Sequence, residues 1–223
     1  MGSSAPPLDA GGFSSWLART TAALAGRGDA QVPCGTCTAC CTASQFVPVG
    51  PDETDTLAHI PTELLFAAPR MPAGHVVMGY DEHGHCPMLV DDRCSIYDHR
   101  PRTCRTYDCR VFPASDVEVD RDDPTKAAIA ARTGQWRFSH PTRSDEAGHD
   151  AVRAAARFIA DHPEVVSPDG ATLPATARAQ LAVEAHGAFL TTDPATGEPT
   201  LLDPPPGPAA VRVELRRRRH PDD

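Results

Sequence analysis

The sequence predicts an α-rich α+β fold in which a small, irregular, metal-stabilised cysteine-cluster module is flanked by helices. Three observations predict it. All eight cysteines fall in two groups, Cys34-x2-Cys37-x2-Cys40-Cys41 and then Cys86, Cys94, Cys104 and Cys109. Apolar residues recur with helical period on either side of those groups. Only 5% of the residues are aromatic, so a small, alanine-rich core gains much from a metal cross-link.

Taken in order, Phe13, Trp16, Leu17, Thr20 and Leu24 predict a helix over 13–27, stopped by Gly26 and Gly28 and packed against the cysteine region that follows. Residues 29–50 are expected to be irregular, with a short extended piece at 46–49. A short helix is expected over 51–58, a strand over 75–80, and a turn over 81–84. The stretch from Cys86 to Cys94 reads as a tight β-hairpin with Asp91-Asp92 at its tip. A helical turn covers 96–100, and Pro101 ends it and starts the next turn, which carries Cys104.

Asp123-Pro124 supplies an N-cap and a proline at the first helical position, so a helix runs from there to about residue 132. Val152, Ala155, Ala156 and Ile159 share one face of a helix over 150–161. A third helix spans 175–189, with Leu181, Ala185, Ala188 and Phe189 on one side. Pro204-Pro205-Pro206 and Pro208 have linker or tail chemistry, and Val211, Val213 and Leu215 alternate as an edge strand would. The expected organisation is an N-terminal helical segment (1–33), the cysteine module (34–113), a helical part (114–190) and a Pro/Arg-rich tail (191–223).

The chain has 223 residues and a formal net charge of -9, from 21 basic and 30 acidic residues. That balance argues against nucleic acid as a general partner. Arg216 to Arg219 form the one dense basic run, and beside Asp222 and Asp223 they read as a solvated tail. The acidic stretch from Asp120 to Asp123 reads as a solvated helix start. Basic charge comes almost wholly from arginine, the coding bias of a GC-rich bacterium. No basic, apolar leader and no run of about 20 apolar residues is present, so a cytoplasmic location is expected. In a reducing compartment clustered cysteines are metal ligands rather than disulfides, and the vicinal pair Cys40-Cys41 bridges only with backbone strain.

The spacing carries the chemistry. Two residues between cysteines make a turn that aims both sulfurs at one point and turns backbone N–H groups towards them. Cys34, Cys37 and Cys40 overlap two such steps. Cys41 follows directly, so its side chain leaves in another direction, towards a second metal or an adjoining vertex. Cys86, Cys94, Cys104 and Cys109 are spaced too widely to chelate locally and need a hairpin and short helices to assemble. Eight thiolates suit two zinc sites, or one [4Fe–4S] cluster with four sulfurs to spare, and ligand type alone does not separate zinc from iron. Arg93, Arg100, Arg102, Arg105 and Arg110 surround the second group and are candidates for charge-assisted bonds to thiolates.

Other residues are weaker candidates. His83, His85 and His99 are potential ligands or donors to ligands, with solvated turns as the plainer role. Asp91, Asp92 and Asp98 read as turn and capping residues, Met71, Met78 and Met88 as filler, Trp16 and Trp136 as packing anchors. No Ser-His-Asp grouping is recognisable by spacing.

The signature Cys34-x2-Cys37-x2-Cys40-Cys41, then Cys86-Pro87-Met88-Leu89, Cys94-Ser95-Ile96-Tyr97, Arg100-Pro101-x2-Cys104-Arg105 and Cys109 resembles the CxxCxxCC cysteine-cluster family, also called the YkgJ family, whose members are described as zinc- or iron-chelating. The resemblance covers about residues 34–113. It implies that all eight cysteines belong to one motif and that the cofactor is zinc or iron. A similar cluster occurs in flagellin lysine N-methylases, which implies an alternative: an iron–sulfur-dependent modifying enzyme or oxidoreductase. The chain is short for such an enzyme and has no G-x-G-x-x-G loop after a strand. The expected partner is a protein or small molecule, with no membrane.

Overall fold

The computed structural model describes residues 6–68, 71–120, 123–167, 171 and 173–219. Part of the acidic stretch at 120–123, the side chain of Arg219, and Asp222 and Asp223 lie outside the described residues. In chain order the elements are β1 (Leu8–Gly12), α1 (Phe13–Leu24), β2 (Val47–Val49), α2 (Thr54–His59), β3 (Leu65–Ala67), β4 (Val76–Met78), β5 (Leu89–Val90) and β6 (Arg93–Cys94). They continue with α3 (Arg102–Thr106), α4 (Val111–Ser115), α5 (Ala127–Thr133), β7 (Trp136–Ser139), α6 (Arg143–Asp161), α7 (Ala175–Ala185), β8 (Leu190–Thr192), β9 (Pro199–Leu201) and α8 (Pro208–Arg219). Helices dominate and the sheets are small, so the fold is α-rich α+β. The chain divides into two compact units: Met1–Asp29, Cys109–Asp120 and Thr133–Asp223 make the first, Ala30–Asp108 and Arg121–Arg132 the second.

In the first unit α6 and α7 pack on each other and on α1 and α4. Phe13, Trp16, Val152, Ile159, Val183 and Phe189 are buried there, which is what the apolar stripes of α1, α6 and α7 require. β1 runs parallel to β7, with Leu8 opposite Trp136 and Gly12 opposite Ser139. Helix α6 starts earlier than its apolar stripe predicts. Thr142 accepts from the Asp145 amide at 3.2 Å, and Asp145 accepts from the Thr142 amide at 2.9 Å. This is a capping box with Asp at its far end, and it starts a first half too polar to show an apolar period. Asp145 Oδ1 also accepts from the Ser14 amide at 2.7 Å. One buried carboxylate therefore caps two helices, and α1, whose own N-cap is Gly12, needs no side-chain cap of its own.

The expected edge strand at Val211, Val213 and Leu215 is instead helix α8. Val211 and Leu215 are four residues apart and buried, while Val213 is 62% exposed. A V-x-V-x-L run fits both periods at its ends; Pro208 at the first helical position and the exposure of Val213 decide for helix. Glu214 pairs with Arg217 at 2.8 Å and Arg218 at 2.8 Å on that helix, so part of the basic run is held rather than solvated. β8 and β9 form a hairpin with Leu190 opposite Leu201.

The second unit is built on the antiparallel sheet β2-β4-β3, with Met78 opposite both Val47 and Leu65. Val47, Val49, Ile60, Met78, Met88 and Ile96 form its core, and Cys86 and Cys94 pack against that core. β5 and β6 form the expected hairpin, with Leu89 opposite Cys94 and Val90 opposite Arg93. Its tip residues Asp91 (φ 48) and Asp92 (φ 56) are both left-handed, as a two-residue turn of the primed type requires. Asp123 accepts from the Thr125 amide at 2.9 Å, the expected cap of the helical run that leads into α5.

Candidate metal centre

The first cysteine run is a chain of turns. The Cys37 amide donates to the Cys34 carbonyl at 3.0 Å, and Gly35 between them has φ 58. The next turn is closed by the Cys41 and Thr42 amides, which both donate to the Thr38 carbonyl, at 2.8 and 3.1 Å. Cys86 enters beside this turn, its amide donating to the Cys41 carbonyl at 2.6 Å. Cys94 ends the hairpin and Cys104 sits in α3. Thr103, next to Cys104, donates its hydroxyl to the Pro48 carbonyl at 2.9 Å and so ties α3 to β2.

Electrostatics show which thiols are neighbours. Burial pushes the Cys104 thiol up to about 12, and Cys86, Cys41 and Cys94 add to the shift. Burial pushes Cys41 up to about 11, with Cys86 and Cys94 as its strongest charged neighbours and Cys34 and Cys37 next. Cys104 nonetheless keeps an exposed surface. Cys86 is raised by burial, opposed by hydrogen bonds to its sulfur from the amides of Met88 and Leu89 and reinforced by Cys94. Cys41, Cys86, Cys94 and Cys104 thus lie within electrostatic reach of one another, although among the described residues no three cysteine sulfurs lie within 4.8 Å of one another. Cys34 is raised by burial and by Cys37; Arg132 and Arg100 oppose this, and Asp108 adds to it. Cys37 lies half-buried beside Cys34, and Cys40 is exposed. Cys109 is buried in the first unit, where Trp136 Nε1 donates to its sulfur at 3.3 Å.

Among the candidate arginines, Arg100 acts on thiols of both groups, lowering Cys104 and Cys34. Its guanidinium lies 3.6 Å over the Tyr97 ring, and its Nε donates to the Tyr97 carbonyl at 2.7 Å. Arg102 pairs with Asp52, and its amide donates to Glu53. Arg105 donates to the Arg100 carbonyl at 3.1 Å, Arg93 is exposed at the hairpin, and Arg110 is buried in the first unit with Nη1 3.4 Å from the Ala10 carbonyl. Arg132, which sequence reasoning missed, donates to the Cys34 carbonyl at 3.2 Å. It lies far along the chain from Cys34, and no local pattern marks it. His83 and His85 serve a turn: both backbone amides donate to Asp81 Oδ1, at 2.9 and 2.8 Å. His99 meets Asp55 instead, with Nδ1 2.7 Å from Oδ2.

Residues 33–129 match a family model, CxxCxxCC, described as a "putative zinc- or iron-chelating domain". The match covers the central region of the chain, somewhat under half of its length. No curated protein and no solved structure matches the chain. The domain spans all eight cysteines and reaches into α5. Its donor set fits the cations of that description. An all-sulfur set suits zinc and iron–sulfur centres, and amides directed at the Cys86 sulfur offset thiolate charge once a metal displaces the proton. Among the described residues no helix is long and apolar enough to cross a membrane.

Proposed function

We propose that this protein is a metal-binding protein in which Cys41, Cys86, Cys94 and Cys104 hold one zinc ion in a closed, structural site. The supporting observation is that Cys86 and Cys94 pack against the core of the second unit and add to the burial that raises Cys41 and Cys104, which come from a turn and a short helix. Four thiolates fill a tetrahedral cation and leave no position for substrate, which favours a structural over a catalytic role. The metal would cross-link the β-hairpin, α3 and the first cysteine run. Cys34, Cys37 and Cys40 provide thiolates for a second metal. The acidic chain serves a protein or small-molecule partner in a bacterial cytoplasm, with no role for nucleic acid or membrane.

The experiment is metal analysis with an absorption spectrum on protein purified without oxygen. Zinc with no visible band supports this reading. Iron with acid-labile sulfide and a broad visible band overturns it and moves the protein to iron–sulfur chemistry, the modifying-enzyme alternative.

A further inference from the structure

A second set of ligand atoms, with no sulfur, lies in the second unit. Asp55 and His59 stand four residues apart on α2, on one face. His99 comes from the 3-10 turn Tyr97–His99. One ligand atom from each lies within 4.8 Å of the other two. His99 Nδ1 is 2.7 Å from Asp55 Oδ2, and His59 Nδ1 is 3.9 Å from Asp55 Oδ1. The two imidazoles stack face to face, centroids 3.5 Å apart and planes 7° apart. His99 Nδ1 points at the Asp55 carboxylate, while His59 Nδ1 faces both that carboxylate, at 3.9 Å, and the Asp55 carbonyl, at 2.8 Å.

The cluster brings three potential ligand atoms together at the surface of the second unit. One hydrogen bond from His99 satisfies an exposed carboxylate, and His59 Nδ1 also reaches the Asp55 carbonyl at 2.8 Å. A divalent cation instead uses both nitrogens and the carboxylate together. Ligands held at ~2.0–2.1 Å around a tetrahedral zinc stand about 3.3 Å apart, and the two nitrogen–oxygen separations, 2.7 and 3.9 Å, bracket that value. Asp55 and His59 are exposed and His99 half-buried, so the remaining coordination positions face water.

We propose that Asp55, His59 and His99 form a solvent-open site for a borderline divalent cation, such as zinc, cobalt or nickel, chemically distinct from the thiolate centre. Two imidazoles and one carboxylate select this class over calcium or magnesium, which prefer oxygen alone. An open N2O site also exchanges its ion readily, unlike a closed four-thiolate site. The proposal does not rest on the reading of the thiolates.

The test uses the full chain without a polyhistidine tag, loaded with zinc, stripped of readily exchanging zinc on a chelating resin and then titrated with Co2+. Cobalt on nitrogen and oxygen gives weak d–d bands without sulfur-to-cobalt charge transfer, whereas cobalt on thiolates gives that transfer strongly. The expected result is about one further equivalent of cobalt with weak bands only, and paramagnetic broadening of the His59 and His99 ring signals. His59→Gln, His99→Gln and Asp55→Asn should each weaken it by more than about tenfold, with circular dichroism unchanged. Cobalt that appears only with the sulfur band, or that binds all three variants as it binds the wild type, overturns the proposal. Broadening of the ring signals in the wild type reads the site without any variant. Failure of the thiolate reading would show in the metal content and sulfur band and leave these signals untouched.

Discussion

The Cys86 amide donates to the Cys41 carbonyl across 2.6 Å, and this bond fastens the end of the first cysteine run to the start of the second group. It also explains why adjacent cysteines part company. Cys40 is exposed, while Cys41 turns into the neighbourhood of Cys86, Cys94 and Cys104. Sequence alone said that Cys41 must leave in another direction; the backbone bond fixes which one.

Cys41→Ser is therefore expected to release the metal held with Cys86 and Cys94, weakening its binding by at least about a hundredfold, since even loss of a group that merely supports a ligand costs 10–100-fold. Cys34→Ser is expected to leave that metal in place. Metal-to-protein ratio and melting temperature of the two variants check this. If both lose the same ion, the grouping of thiols is wrong.

Arg100 and Arg102 differ by two residues and should differ in effect. Arg100 lowers the Cys104 and Cys34 thiols, so its positive charge favours thiolate over thiol. Arg100→Gln leaves those thiols holding their protons more tightly, and metal must displace those protons to bind. Affinity near neutral pH should fall, and the deficit should shrink as pH rises. Arg102 is engaged with Asp52, so Arg102→Gln should bind metal as the wild type does. Competition with a chromophoric chelator at two pH values measures both.

How much of this was legible in the sequence depends on the range of each signal. The hairpin from Cys86 to Cys94, the helix start at Asp123-Pro124 and the turn carrying Cys104 rest on local chemistry, and the structure has all three. The first turns of α6 were missed because Thr142 and Asp145 signal the helix through hydrogen bonds rather than apolar period. The run from Val211 to Leu215 was misread because five residues fit two periods. Arg132 beside Cys34, and Asp55 and His59 beside His99, are contacts between distant segments. No spacing rule on one sequence reaches them.

The tip of the hairpin offers a stability test of its own. Asp91 and Asp92 both have positive φ, a conformation that costs an L residue energy but glycine almost nothing. Asp92→Gly should stabilise the hairpin by about 0.5–1 kcal/mol, since Asp-Gly is a favoured pair in this turn. Asp92→Val should destabilise by at least about 1 kcal/mol, because a β-branched side chain tolerates positive φ least. Urea midpoints of the metal-loaded proteins read both directions, and equal midpoints would contradict the turn geometry.

Acid should weaken the first unit in two stages. His149 is buried against Phe13, with centroids 4.2 Å apart, and burial pushes its pKa down to about 4, assisted by Arg153. Unfolded, the same imidazole titrates near 6.5. Between those values the unfolded chain binds the extra proton and the folded chain does not, so stability is complete above about pH 6.5 and falls as pH drops towards 4. Asp145 follows. The Thr142 side chain and the Ser14 amide hold its pKa down to about 2 from an ordinary 3.8, so its contribution is present above about pH 4 and is lost as pH falls through 2. His149→Gln should flatten the upper stage alone. Asp145→Asn should remove the lower stage and cost about 1–2 kcal/mol at neutral pH, because it weakens the caps of both α1 and α6. Melting temperature against pH for the wild type and both variants separates the two groups, and an upper stage that survives His149→Gln would assign it elsewhere.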